Sequence, residues 1–161
     1  MLTPEQQATL QADVLADNAL NQLPHTADSA YAIAVAYGIA VVDFIVWKTA
    51  VTRDEIMQNG FDWTRLDNLT VGKARIWEQM FTNQSFATNP SKLNVRAGIE
   101  EVWKGTAQDL AVRAAVYVHC RRPANRLEKL FATGTGTNAS PATMTVEGSI
   151  GYIDVLNSMG W

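Results

Sequence analysis

Apolar residues along most of this chain recur every three or four positions, the period of a helix, and polar capping residues stand where the runs begin. Thr3 and Gln6 form a capping box with Pro4 at the first helical position, so a helix follows to about Asp17 with Ala8, Leu10 and Val14 on one face. Pro24 separates it from an alanine-rich helix that begins near Thr26 or Asp28, carries Tyr31, Ala34 and Val35 on one side and ends at Gly38. The pattern then changes. Residues 39–47 (IAVVDFIVW) are β-branched and aromatic and read as an extended, buried segment whose single charge, Asp43, must face solvent or a partner.

Helical spacing returns at Thr52, where a second capping box with Glu55 starts a short helix that stops at Asn59-Gly60, a good left-handed ending. Asp62 caps a single turn through Trp63 and Leu66. Thr70 starts a firmer helix to about Thr82 with Ala74, Trp77, Met80 and Phe81 at helical spacing, and a polar loop spans residues 83–90. Ser91 begins a helix in which Val95, Ile99, Val102 and Trp103 share a face, closed by Gly105. Thr106 caps the longest apolar helix, predicted to turn Leu110, Ala114, Tyr117 and Val118 inward and to run to about Cys120. Pro123 breaks it, and a last amphipathic helix carries Leu127, Leu130 and Phe131.

After Phe131 the small residues 132–141 (ATGTGTNASP) read as a flexible linker. Residues 143–146 alternate like a short strand, and Ser149 caps a final turn holding Tyr152, Ile153 and Leu156. The expected fold is mainly α: a compact bundle of about six to seven short helices over residues 1–132, then an extended C-terminal docking arm over 133–161.

Composition narrows the function classes. In 161 residues, 47 % are hydrophobic and only 18 % charged, with five Trp, four Tyr and five Phe. Disordered chains are charged and poor in aromatics, so disorder is excluded. A net charge of −3 argues against a strongly basic nucleic-acid module. The N-terminus lacks the basic and apolar regions of a secretory signal, and residues 39–47, the longest apolar run, are too short to span a bilayer. With one cysteine there is no intramolecular disulfide, and folding in a reducing cytoplasm is expected. An apolar excess on so small a chain points to interfaces.

Candidate chemistry is sparse. His119 and Cys120 are adjacent and so lie about 100° apart on a helix, and His25 is the only other histidine. No CxxC, HxxxH or HExxH spacing is present, so the expectation is no metal site and an inert Cys120. Gly134-Thr135-Gly136-Thr137 superficially suggests a phosphate loop but completes neither GxxxxGK[ST] nor GxGxxG. Asp54-Glu55 and Glu100-Glu101 read as capping or solvated carboxylates rather than an acid/base pair. No catalytic residue and no cofactor site is assigned.

Charge is uneven: residues 1–80 hold 5 basic and 10 acidic side chains, residues 81–161 hold 8 and 6. Arg113, Arg121, Arg122, Arg126 and Lys129 stand against Glu128 alone. Solvated cations at a helix C-terminus, an acidic protein partner and nucleic acid are the three readings of this patch. Trp161, following Gly160, reads as an aromatic anchor for a neighbour.

Residues 54–60 (DEIMQNG), 69–78 (LTVGKARIWE), 89–92 (NPSK), 130–137 (LFATGTGT) and 141–144 (PATM) make the chain resemble a family of small tailed-bacteriophage proteins. Its members sit among virion-structure genes without an assigned activity. Small, mainly helical proteins of this length with a C-terminal arm resemble head–tail adaptors, also termed connector or head-completion proteins. The resemblance implies a structural protein of the virion neck, not an enzyme and not bound to a membrane. It implies a homo-oligomeric ring, commonly a dodecamer, beneath the portal protein, joined to tail or nozzle proteins and extending the channel for packaged DNA, which it touches only non-specifically. Partner contacts are then assigned to Arg121, Arg122, Arg126, Lys129, Met144, Val146, Tyr152 and Trp161. The other readings are a tail-completion or capsid decoration protein, a small cytoplasmic ligand-binding or enzymatic domain, and a DNA-binding accessory protein.

Overall fold

A computed structural model describes residues 1–58, 60–81 and 87–161. Asn59 of the predicted helix ending, Thr82 at the predicted end of the next helix, and residues 83–86 of the predicted polar loop lie outside them. The chain is mainly α. In order it forms α1 (Pro4–Ala16), α2 (Ala27–Gly38), β1 (Ala40–Trp47), α3 (Arg53–Ile56), a 3₁₀ helix (Trp63–Asn68), α4 (Val71–Phe81), α5 (Leu93–Val102), α6 (Ala107–His119), β2 (Arg121–Asn125), α7 (Arg126–Leu130), β3 (Ala132–Thr133), β4 (Thr143–Met144) and α8 (Tyr152–Met159). The expected capping boxes at Thr3–Gln6 and Thr52–Glu55 both form, because they depend only on residues three apart.

The chain divides into two units rather than a body and an arm. Residues 1–45 and 123–161 make unit 1, and residues 46–122 make unit 2. The chain leaves unit 1 along β1 and returns along β2, and these strands pair. β2 (RRPAN) went unpredicted because Pro123 and two arginines do not resemble a strand; proline is tolerated there in a two-stranded ribbon.

Unit 1 buries Leu10 and Val14 of α1, Ala30, Ile33 and Tyr37 of α2, Leu127 of α7, Ile150, and Val155 of α8. The predicted arm is part of this core. α8 packs on α1 and α2, β4 pairs antiparallel with β3, and Asn125 donates through Nδ2 to the Gly148 carbonyl at 2.7 Å. The linker is likewise ordered. The Ile45 N–H donates to the Gly136 carbonyl at 2.7 Å, the Ala142 N–H to the Ile45 carbonyl at 2.9 Å, and Thr137 and Ser140 exchange backbone bonds. Gly136 takes φ +67°, and a Cβ there would lie inside the Phe44 ring. These partners stand some ninety residues earlier in the sequence, beyond any local reading.

Unit 2 is built on an aromatic cluster. Phe61 stacks on Trp77 at 5.6 Å, Trp103 meets Trp77 edge-on at 5.3 Å, and Phe81 tilts against Trp77 at 4.4 Å. Ile56, Ile99, Val102, Val112, Val116 and Cys120 complete its buried set. Arg65 of the 3₁₀ helix reaches Asp109 in the first turn of α6 at 2.7 Å, and Lys48 pairs with Glu55 at 3.0 Å.

Candidate functional site

Two helices bury a different side from the one the periodicity suggested. In α2 the core takes Ala30, Ile33, Ala34 and Tyr37, while Tyr31, Val35 and Ile39, with Val42 beyond them in β1, remain 50 to 73 % exposed. In α6 the core takes Val112 and Val116 and Tyr117 packs against it as expected, while Leu110 and Val118 are 44 and 56 % exposed and Ala114 lies on the surface with them. Both helices are apolar on nearly every side, so spacing alone leaves their rotation undecided. Tyr37 and Asp109 settle it. The Tyr37 hydroxyl donates to Asp13, and Asp109 receives Arg65 while it caps α6 at Thr106; each bond demands that its side of the helix face inward. Each unit thereby presents an apolar row, at i, i+4 and i+8, with nothing of its own unit over it. β1 is extended as predicted, but its first residues are exposed rather than buried, and Asp43 faces solvent.

The residues assigned to partner contacts differ in exposure and in the partners they already have. Arg126 is occupied in unit 1, bonding Asp17 at 2.7 Å and Asp13 at 2.9 Å and lying over the Tyr37 ring at 4.5 Å. Burial, and then its bond to Asp13, push the Tyr37 phenol well above its ordinary range, and the Arg126 bond holds the Asp17 carboxyl below its own. Lys129 is exposed with its Nζ 5.6 Å from the Phe44 ring. Met144 is buried and Val146 packs on the unit 1 core. Trp161 is half-buried within its own unit, stacked on His25 at 4.6 Å, and so is no free anchor. The positive φ of Gly160 turns the chain back to place it there. Tyr152 stays exposed on α8, beside Ile153. Arg121 and Arg122 belong to β2, are half-buried and already have partners. Of the basic residues read from the sequence, Arg126 and Lys129 fall in unit 1 and Arg113, Arg121 and Arg122 in unit 2.

Cys120 is buried in unit 2, and burial pushes its thiol up to about 12, so it carries no thiolate at neutral pH. Among the described residues no three His, Cys, Asp or Glu side chains are placed to hold a metal. The paired carboxylates are engaged singly: Glu55 caps α3 at Thr52, Glu100 accepts from the Tyr117 hydroxyl at 3.1 Å, and Glu101 pairs with Lys104 at 2.5 Å. No helix is long and apolar enough to cross a membrane among the described residues.

Unit 2 also holds a half-open cavity of about 380 Å³ between α3, the 3₁₀ helix and α4. Trp77, Phe81 and Met57 form its apolar wall, and Arg53, Asp67 and Glu78 stand around it. Among the described residues these three charged groups form no ion pair, and the buried Trp77 Nε1–H has no hydrogen-bond partner among them. No residue of this cavity was singled out as a site from the sequence, since α3, the 3₁₀ helix and α4 each read as ordinary helix faces. Compared with protein-family models, with curated proteins and with solved structures, the chain matches none.

Proposed function

We propose that this chain is a structural, self-associating protein of a tailed-phage virion, a head–tail adaptor whose subunits close into a ring, commonly of twelve, beneath the portal. The observation that carries this reading is the pair of uncovered apolar rows, Tyr31–Val35–Ile39 on unit 1 and Leu110–Ala114–Val118 on unit 2. Two different patches on one chain are what a heterologous, head-to-tail contact requires, and such contacts close into rings. A dimer through one self-complementary patch would leave the other bare. Covering both rows in the assembly removes apolar surface that a monomer leaves in water.

In this reading the axial contact to the portal protein falls on α8 as it stands packed, through Tyr152 and Ile153. A fully extended arm would have to withdraw the buried Ile150 and Val155 from unit 1, which opposes it. The excess of acidic over basic side chains in residues 1–80 suits a channel wall along which DNA slides without sticking. Tail or nozzle proteins are the partners on the far side, and the location is the virion neck.

Native mass measurement of the purified chain, alone and mixed with portal rings, tests the proposal. The expected result is a closed oligomer, formed alone or on the portal. A chain that stays monomeric and ignores portal rings overturns it.

A further inference from the structure

We infer that the α2 row of one copy docks on the α6 row of a second copy, and that charge selects this pairing over either row on itself. The inference rests on the self-associating reading above and names which surface meets which. Residues 27–47 contain no basic side chain, and their two charges are Asp28 and Asp43. Both are exposed, and neither forms an ion pair among the described residues. Asp28 stands three residues before Tyr31 and so extends the same side of α2. Asp43 follows Val42 beyond the other end of the row. The α2 row is thus acidic at both ends.

Along the α6 row the sign is opposite. Residues 107–122 carry Arg113, Arg121 and Arg122, and their single acid is Asp109. That acid is buried and already bound by Arg65 at 2.7 Å. Arg113, next to Ala114 in the chain, is half-buried and forms no ion pair among the described residues. Two α2 rows laid together bring acid against acid in either direction, and two α6 rows bring arginine against arginine. Only the mixed pairing sets opposite signs around an apolar centre. The two helices also match in length, at 12 and 13 residues, and the exposed Ala111 and Ala114 let a partner helix approach closely. Each copy carries one row of each kind, so the pairing propagates from copy to copy.

Disulfide trapping in the full chain tests the pairing. Val35 and Ala114 are the central residues of the two rows, so they meet whichever way the helices run. Chains carrying Val35→Cys or Ala114→Cys are oxidised separately and as a mixture, with and without portal rings, and resolved on a non-reducing gel. The native Cys120 is buried and stays silent. The mixture is expected to give about tenfold more cross-linked dimer than either chain alone, as partner selection by charge requires. Asp28→Lys with Asp43→Lys in the first chain should cut the mixed yield by about threefold, the scale of an exposed ion pair. Arg113→Glu in the second chain should then restore part of it. Equal cross-linking within one chain alone shows a row paired with itself and overturns the inference. Absence of a cross-link in every sample overturns it, as does indifference to the charge variants. A closed oligomer without the mixed cross-link removes this pairing and leaves the adaptor assignment standing. A mixed cross-link in a chain that closes no oligomer and ignores portal rings does the reverse.

Discussion

At the scale of single residues, stability is concentrated where a group has only one acceptable environment. Asp109 is buried at the start of α6, and Arg65 at 2.7 Å, assisted by the Thr106 bonds, holds its carboxyl down to about 2 against the ordinary 3.8. A depressed folded-state value means the contribution is whole above about pH 4 and is lost as pH falls toward 2; it amounts to about 1–2 kcal/mol. Arg65→Gln is therefore expected to lower unfolding free energy by that amount at pH 6 and by almost nothing at pH 2, measured by urea titration at both. Gly136 is a second such residue. Its φ of +67° and the Phe44 ring against it leave no room for a side chain. Gly136→Ala should cost about 3 kcal/mol or more, from left-handed backbone and overpacking together, as a fall in melting temperature. A substitution that leaves the melting temperature unchanged would show that this loop yields instead.

At the scale of elements, most helix starts were legible in the sequence, while the rotations of α2 and α6 were not. α5 begins at Leu93 after Lys92 rather than at Ser91, α8 follows Gly151 rather than a Ser149 cap, and α3 ends at Ile56 before the expected stop. Thr3, Thr26, Thr52, Asp62 and Thr106 each cap the helix expected of them, since a cap is settled within three residues. α4 and α5 also turn the expected sides inward, Trp77 and Phe81 in one, Ile99 and Val102 in the other, because polar residues occupy most of their remaining positions, Val71, Ile76 and Leu93 excepted. In α2 and α6 alanine and valine occupy several sides, and the inward side is chosen by polar partners on other elements. The two exposed rows test this directly. Val35→Lys and Val118→Lys are each expected to change stability by less than about 0.5 kcal/mol while reducing self-association, read by sedimentation. The inward control Ile33→Ala should instead cost about 2–5 kcal/mol. Loss of folding in either lysine variant would return those rows to the core.

At the scale of the whole molecule, the order of the chain and the order of packing differ. Residues 133–161 follow a run of glycine and threonine, yet they supply Ala142, Met144, Ile150 and Val155 to the burial of unit 1. Glu128 binds them as well: almost fully buried, it accepts from the Asn125 N–H at 3.0 Å and from the Gly148 N–H at 2.9 Å. Truncation after residue 132 is thus expected to unfold α1 and α2 rather than leave an intact body. Circular dichroism should record the loss of helix and earlier melting. Undiminished helicity of residues 1–132 would restore the tethered-arm reading. Four of the five tryptophans lie in unit 2, so the fluorescence of the truncated chain reports mainly on that unit.

The sequence by itself determined where the helices capped by Thr3, Thr52 and Thr106 start, that the chain is mainly α, and that apolar side chains outnumber what charge can cover. Those properties are local or summed, and each residue carries its share regardless of distant neighbours. Only the tertiary structure decided which side of α2 and α6 is inside, that RRPAN is a strand, that the linker is ordered against Phe44 and Ile45, and that Trp77, Asp67, Glu78 and Arg53 surround one cavity. Each of these depends on residues that meet only after the chain has closed over long separations, and on the requirement that a buried polar group find a partner.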